Sequence, residues 1–205
     1  MAGLLLAAGG GRRLGGRPKA LLSHDGRPLV ESAVDALLVG GCDPVVVVLG
    51  ASADKVRAQA ELPGCVLLDN PDWQEGMGSS LRTGLQQLAM MGPQYEPGAD
   101  AVLVLLVDQP GIGSTAVARV RAAYRSPASL AAASYEGERG HPVLLGNEHW
   151  AGVTATAEGD RGARRYLRAR ADLLDLVECS DVAVPTDIDT PGDLAKLAGP
   201  ETFES

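Results

Sequence analysis

The chain has 205 residues, of which 45% are hydrophobic, and this size suits one domain built on a single core. Its 26 acidic and 18 basic residues give a formal net charge of −8. That charge argues against a general nucleic-acid binder, because such proteins neutralise phosphates with a basic face. The apolar runs are far shorter than the roughly 20 residues that cross a bilayer. We therefore expect one domain, residues 1–205, that binds neither nucleic acid nor membrane.

The amino-terminal sequence and the cysteines indicate the compartment. The segment Met1–Leu6 is apolar, but it lacks the cationic start of a secretory signal. Cys42, Cys65 and Cys179 are odd in number and far apart, which is typical of proteins in a reducing compartment rather than of a disulfide framework. These features predict a cytoplasmic protein.

Short apolar runs alternate with helical patterns in the first half of the chain, which predicts an α/β fold with a Rossmann-like, mostly parallel central sheet flanked by helices. The predicted strands are continuously apolar, as strands covered on both faces are, and span residues 4–8, 44–49, 66–68 and 101–107. The predicted helices have apolar residues at helical spacing and span residues 28–40, 52–61, 79–91 and 114–125. Ser79 or Ser80 is expected to cap the third of these helices.

The second half of the chain has looser patterns. Residues 128–135 and 142–145 predict two strands joined by the turn-prone segment 136–140, which would form a small β-hairpin lobe over the active cleft. The remaining predicted elements are a basic helix, two strands and a terminal helix, at residues 159–171, 173–178, 182–184 and 191–197.

A glycine-rich segment, LAAGGGRRLGGRPKALL at residues 6–22, follows the first apolar strand. Glycine lets the backbone approach a ligand closely, so that amides point at anionic oxygens, and Arg12, Arg13, Arg17 and Lys19 add positive charge. In an acidic chain this pattern predicts a phosphate-binding loop. The alternative is a flexible surface turn with solvated arginines.

Two common phosphate loops do not match this segment. A P-loop requires Gly-Lys-Ser/Thr after four intervening residues, but Gly-Arg or Arg-Pro stands at the corresponding places. A dinucleotide fingerprint requires a third glycine where this chain has Leu14. The spacing therefore disfavours an NAD(P)- or flavin-dependent oxidoreductase, which stays as the alternative from another class, together with a non-catalytic nucleotide-binding regulator.

The segment does fit a nucleotidyltransferase signature, which is LAAG at residues 6–9 followed by Gly11, Arg13, Leu14, Gly15 and Lys19. Four further segments resemble family motifs: NPDWQEGMGSSLRTGL at 70–85, LLVDQP at 105–110, GHPVLL at 140–145 and DIDTPGDL at 187–194. On these motifs the chain resembles the MobA-like NTP transferases, and most of all their molybdenum cofactor cytidylyltransferase branch.

The resemblance implies transfer of CMP from CTP to a phosphorylated acceptor, molybdopterin, with release of pyrophosphate. A molybdoenzyme or its maturation partner would receive the product. LAAG, with Ala8, is similar to cytidine-transferring relatives, whereas LAGG accompanies guanine transfer. A sugar-phosphate or other alcohol-phosphate nucleotidyltransferase, or a guanylyltransferase, is the alternative within the class. Residues from about 1 to 112 would form the half of the domain that binds the nucleotide, and residues from about 113 to 198 the half that binds the acceptor.

Acidic residues predict a magnesium site. Asp108 closes an apolar strand, so its carboxylate is expected at the carboxyl edge of the sheet, where it would suit Mg²⁺. The alternative is a carboxylate that caps a turn. The resemblance makes Asp108 the metal-binding aspartate and favours Asp189 over Asp187 as a second ligand, although Asp189 would serve equally as a helix cap.

The resemblance also implies the remaining site residues. Arg13 and Lys19 would stabilise the transition state and the leaving pyrophosphate, with Asp108 as the third catalytic residue. His141 and Asp160 would contact the acceptor, and the basic run that follows Asp160 would bind an anion or form a solvated helix face. The implied nucleotide-binding residues are Leu6, Ala7, Ala8, Gly9, Gly10, Gly11, Gly78, Ser79 and Ser80.

Overall fold

The computed structural model describes residues 1–91 and 99–197. Residues 92–98 and 198–205, which the predicted domain includes, lie outside the described residues. The strands are β1 (Ala2–Ala7), β2 (Ser23–His24), β3 (Arg27–Pro28), β4 (Val45–Leu49), β5 (Val66–Asp69), β6 (Ala101–Leu106), β7 (Leu130–Tyr135), β8 (Glu138–Gly146) and β9 (Leu174–Glu178). The helices are α1 (Leu29–Val39), α2 (Ala53–Gln59), α3 (Met77–Met91), α4 (Ser114–Arg121), α5 (Trp150–Thr156) and α6 (Arg164–Ala169).

Seven strands form one sheet in the order β5-β4-β1-β6-β8-β7-β9. β8 pairs antiparallel with both β6 and β7, and every other pair is parallel, so six of the seven strands run in one direction. The predicted mostly parallel α/β sheet is therefore confirmed. Because β8 runs the opposite way, its amino-terminal end lies at the same edge of the sheet as the carboxyl ends of the other strands.

Helices cover both faces of the sheet, which explains why the central strands are continuously apolar. Leu5 of β1 packs into a core with α1 and α4, whereas its neighbour Leu4 packs into a second core with α3 and α5. Each side chain alternates to the opposite face of the strand. Gly84 lets α3 approach β1 closely, because a Cβ there would lie 2.4 Å from Leu4 Cδ1.

The predicted hairpin is confirmed, and its strands β7 and β8 belong to the central sheet. The turn consists of Glu136 and Gly137, both with positive φ, as the two-residue turns that suit the twist of a hairpin require. A separate two-stranded ribbon, β2–β3, precedes α1. The hairpin tip lies at the edge of the sheet where the carboxyl ends of the parallel strands meet.

Four of the predicted elements differ in the structure. Residues 182–184 form no strand, because two consecutive amides, those of Val182 and Ala183, bond to the carbonyl of Cys179 in a turn. The segment 159–171 is divided into short turns around α6, since Gly162 has a φ of 49° and ends the first turn. α3 begins at Met77, two residues before the predicted serine cap. Residues 191–197 form a 3₁₀ helix.

Candidate active site

A cleft of about 1120 Å³ opens along the carboxyl edge of the sheet, where ligands of open α/β sheets bind. The loop after β1, the end of β6, the hairpin tip and the segment after β9 all contribute to its walls. The predicted site residues that line it are Leu6, Ala8, Gly9, Gly10, Gly11, Arg13, Lys19, Ser80, Asp108, His141, Asp160 and Asp189. Ala7, Gly78 and Ser79 do not line it.

The glycine loop wraps back on itself at the floor of the cleft. The carbonyl oxygen of Gly11 accepts hydrogen bonds from the amides of Leu14 (2.8 Å) and Gly16 (3.0 Å), which closes a tight turn. Leu14 is buried, so the residue in place of the third dinucleotide-motif glycine is a core residue. The loop forms two 3₁₀ turns, Arg12–Leu14 and Lys19–Leu21, and the next α-helix begins only at Leu29. This local structure differs from a dinucleotide fingerprint, in which the glycines open an α-helix.

The conformation of Gly11 leads to a prediction. Its φ is 58°, and a Cβ there would lie 1.8 Å from the Arg17 carbonyl oxygen. We expect Gly11→Ala to push the two ends of the loop apart, to destabilise the protein by about 2 kcal/mol and to weaken CTP binding at least tenfold. Urea unfolding and titration calorimetry measure the two effects.

Gly15→Ala is the matched control. Gly15 also has a positive φ, 69°, but a Cβ there would contact nothing within 4 Å. Gly15→Ala should therefore lower the stability only by the backbone strain, about 1 kcal/mol, and should keep most of the affinity for CTP. Equal CTP affinity in Gly11→Ala and the wild type would contradict the role of this turn.

Lys19 joins the glycine loop to two carboxylates. Its Nζ donates a hydrogen bond to Asp108 Oδ2 at 2.6 Å and another to Asp189 Oδ1, and Arg13 lies 3.8 Å from the other oxygen of Asp189. Residues 108, 19 and 189 are far apart in the chain. Because both carboxylates bond to one nitrogen, their oxygens lie within two hydrogen-bond lengths of each other.

Burial and charge oppose each other in this cluster. Burial alone would lower the pKa of the Lys19 ammonium, but the charges and hydrogen bonds of Asp108 and Asp189 outweigh it, so its pKa is raised. Burial raises the pKa of Asp108 despite the opposing effect of Lys19, and the charge of Asp187 raises it further. The Lys19 and Asp108 side chains are only 14% and 19% exposed, so water screens this pair weakly.

The segment after β9 brings the second aspartate into place. The Ile188 amide donates to the Asp108 carbonyl oxygen at 2.9 Å, which ties this segment to the end of β6. Gln109 Nε2 donates to Asp187 Oδ1 at 2.8 Å, and Asp193 accepts the amide of Thr190. Asp187 therefore bonds to Gln109, whereas Asp189 and Asp108 both bond to Lys19.

The start of α3 forms the neighbouring wall. Asn70, the first residue after β5, donates to the hydroxyls of both Ser79 (2.8 Å) and Ser80 (3.0 Å), and of these two serines only Ser80 lines the cleft. Gly78 lies against another backbone segment, since a Cβ there would be 2.8 Å from the Glu158 amide nitrogen. Asn70 begins the motif at residues 70–85, but no role was predicted for it, although its position directly after a strand is a signal for this edge of the sheet.

The other wall carries His141 and Asp160. Asp160 lies beside the start of α3, because a Cβ on Gly76 would be 2.6 Å from its Oδ1. His141 lies on β8, and burial, together with the positive charges of Arg164 and Arg139, lowers its pKa from 6.5 to about 4. His141 is therefore uncharged at neutral pH.

The low pKa of His141 predicts a pH dependence of stability. Between pH 6.5 and about 4 the unfolded chain binds a proton at this residue and the folded chain does not, so the free energy of unfolding falls as the pH falls through this range. We expect His141→Gln to remove about 2 kcal/mol of this pH-dependent loss in the free energy of unfolding. Urea unfolding at pH 7 and 4.5 measures it.

The values at pH 7 serve as the control for this comparison, since both side chains are then neutral and any difference is independent of titration. An identical loss of stability between pH 7 and 4.5 in the two proteins would contradict the assignment.

Comparison with known proteins identifies the family. The model of the MobA-like NTP transferase domain matches residues 3–174. Nicotine blue oxidoreductase of Paenarthrobacter nicotinovorans is 42% identical over 202 residues, which cover 95% of each chain. A molybdenum cofactor guanylyltransferase of Rhodopseudomonas palustris (strain HaA2) is 33% identical over 143 residues, 69% of this chain and 62% of its own.

A solved structure, Rv0371C of Mycobacterium tuberculosis H37Rv in complex with manganese, has 25% identity and a TM-score of 0.75, with 96% of both chains covered. Within residues 1–91 and 99–197 no helix is long and apolar enough to span a membrane. The family model covers most of the chain, so this protein belongs to the MobA-like NTP transferases, a family of nucleotidyltransferases.

Proposed function

We propose that this nucleotidyltransferase transfers CMP from CTP to a phosphorylated acceptor, molybdopterin, and releases pyrophosphate. The observation that carries this proposal is the Lys19–Asp108–Asp189 cluster, which adjoins the glycine loop in one cleft. A cation on the loop beside two carboxylates provides both the positive charge that a triphosphate requires and the oxygens that a divalent metal requires. The reduced cysteines support the cytoplasm as the location, and a molybdoenzyme or its maturation partner is the proposed recipient of the product.

The proposed reaction needs alignment and charge rather than a nucleophilic side chain. An oxygen of the acceptor phosphate attacks the α-phosphorus of CTP, a new phosphoanhydride bond forms, and the bond between the α-phosphorus and the bridging oxygen breaks as pyrophosphate leaves. Lys19 and Arg13 stabilise the negative charge that builds up on the transferred and leaving groups. The backbone amides of Gly9, Gly10 and Gly11 hold the triphosphate oxygens in the cleft.

The carboxylate pair fits a magnesium ion. Asp108 and Asp189 present oxygens on either side of one small cation, the Lys19 ammonium, and Mg²⁺ prefers one or two carboxylates with water and phosphate oxygens. Within the described residues no group of three or more His, Cys, Asp or Glu side chains is arranged to hold a metal ion, so the two carboxylates would need ligands from the nucleotide and water. When bound, Mg²⁺ would neutralise triphosphate charge.

The choice of CTP is supported by the LAAG form of the loop, in which the buried Ala8 lines the cleft. The guanylyltransferase relative supports GTP as the alternative. The deciding experiment incubates the protein with each of the four nucleoside triphosphates, Mg²⁺ and molybdopterin, and measures which nucleotide is consumed and whether a dinucleotide forms. CTP consumption is expected, and GTP consumption without CTP turnover would contradict the base assignment.

A second candidate function is an NAD(P)H-dependent reductase, which the relative named nicotine blue oxidoreductase favours through its 42% identity. The loop structure opposes it, because buried Leu14 replaces a glycine and no α-helix follows directly. NAD(P)H oxidation with nicotine blue as electron acceptor tests this candidate. Oxidation of NAD(P)H without pyrophosphate release from any nucleotide would establish the reductase instead.

A further inference from the structure

Three basic side chains from two elements gather at the hairpin end of the cleft. Arg139 and His141 are two residues apart on β8. Arg164 is the first residue of α6, and all three line the cleft. Arg168, four residues beyond Arg164, lies on the same side of α6. We call Arg139, His141 and Arg164 the arginine site.

In the described part of the chain, the arginine site has no acidic partner. Arg27, Arg57, Arg82 and Arg119 each form an ion pair with a carboxylate. In the ranges 1–91 and 99–197, by contrast, neither Arg139 nor Arg164 forms an ion pair or a side-chain hydrogen bond. This leaves ten guanidinium N–H donors available at one end of the cleft.

The unpaired charges also repel one another. Burial and the charges of Arg164 and Arg168 lower the pKa of Arg139, and burial together with the charges of Arg164 and Arg139 lowers the pKa of His141. Like charges held together without a partner destabilise the fold, so a ligand is the natural source of compensation. A guanidinium pair binds a phosphate dianion well, because each presents parallel N–H donors to two oxygens.

The arginine site is separate from the Lys19–Asp108–Asp189 cluster. Lys19 bonds to Asp108 and Asp189, and within the described residues no hydrogen bond or ion pair joins Arg139 or Arg164 to any of these three residues. Both groups of residues line the same cleft of about 1120 Å³.

We propose that Arg139 and Arg164 bind the phosphate monoester of the acceptor, with neutral His141 as a further hydrogen-bonding partner. This inference rests on the proposed function for the acceptor's place in the reaction, and it identifies the acceptor as an anion recognised by its phosphate. The two guanidinium groups neutralise the incoming dianion, which would otherwise be repelled by the triphosphate that it must approach.

The test measures phosphate binding in the full chain without any nucleotide. Thermal unfolding is followed at constant ionic strength while chloride is replaced by inorganic phosphate. A ligand that binds the folded state raises the Tm with its concentration. We expect Arg139→Gln and Arg164→Gln each to weaken phosphate binding about tenfold, with the remaining Tm shift due to the glycine loop. Arg165→Gln, on the same helix but outside the cleft, is the matched control and should keep the wild-type shift.

Two further measurements separate binding from folding. In phosphate-free buffer, Arg139→Gln and Arg164→Gln should have a Tm equal to or above that of the wild type, because each relieves repulsion; a purely structural arginine would give a lower Tm. Phenylglyoxal modification of the wild-type protein, mapped by peptide mass spectrometry, should show phosphate protecting Arg139 and Arg164 and leaving Arg165 unprotected.

The outcomes that overturn the proposal are a wild type without a phosphate-dependent Tm shift, or equal shifts in the wild type and both cleft variants. CTP binding, measured by calorimetry, should be within about twofold of wild type in Arg139→Gln and Arg164→Gln. If CTP does not bind the wild type but the phosphate shift depends on Arg139 and Arg164, the proposed function fails and the phosphate site stands.

Discussion

Lys19→Ala is expected to lower kcat about a hundredfold or more, because removing one positive charge from a preorganised site commonly has an effect of this size. Lys19 lies between Asp108 and Asp189, and its half-buried ammonium stays charged since both carboxylates favour the charged form. Pyrophosphate release from CTP, with Mg²⁺ and molybdopterin at saturation, measures the change in kcat.

The same substitution leaves two carboxylates without the cation that separates them. Asp108 then loses the partner that lowers its pKa, so we expect its pKa to rise further above 3.8 and the protein to become less stable at neutral pH. Arg17→Ala is the control, because Arg17 is an exposed loop cation that does not line the cleft. Near wild-type turnover in Lys19→Ala, or an equal loss in Arg17→Ala, would show that Lys19 has no special role.

The sequence was sufficient to predict the sheet, because burial on both faces produces an unmistakable pattern. The apolar run of β6 lies within one residue of its predicted bounds, and β1 within two. The failures occur where long-range hydrogen bonds decide the structure. The apolar residues 182–184 resemble a strand, but Val184 bonds to the Gly111 carbonyl oxygen as an isolated contact rather than as part of a ladder.

The candidate site was predictable wherever a residue follows a strand. Asp108 follows β6, and its place at the carboxyl edge of the sheet follows from the direction of the strand. The shared contact of Lys19 with Asp108 and Asp189 was not predictable, because it depends on how an irregular segment after β9 packs against the end of β6. The proximity of Arg164 to Arg139 depends in the same way on how α6, a distant segment of the chain, is placed at the cleft.

Asp108→Asn is expected to lower kcat about a hundredfold, since the amide keeps the shape of the side chain but removes the charge that a divalent metal and Lys19 both require. The same substitution should leave the protein at least as stable as the wild type. The pKa of Asp108 is raised in the folded protein, so its contribution to stability is present at low pH and is lost as the pH rises through the folded-state value. At neutral pH the ionised carboxylate is therefore a net cost to folding, which the variant removes.

Urea unfolding at pH 7 and pyrophosphate release together test both parts of this prediction. We expect Asp108→Asn to unfold at the same or a higher urea concentration than the wild type while its turnover falls, which is the pattern of a residue retained for chemistry at the expense of stability. Asp187→Asn is the matched control, because Asp187 lines the same cleft but bonds to Gln109 rather than to Lys19. A loss of turnover in Asp187→Asn as large as in Asp108→Asn would indicate that Asp187 also binds the metal. Unchanged turnover in Asp108→Asn would show that Asp108 does not bind it.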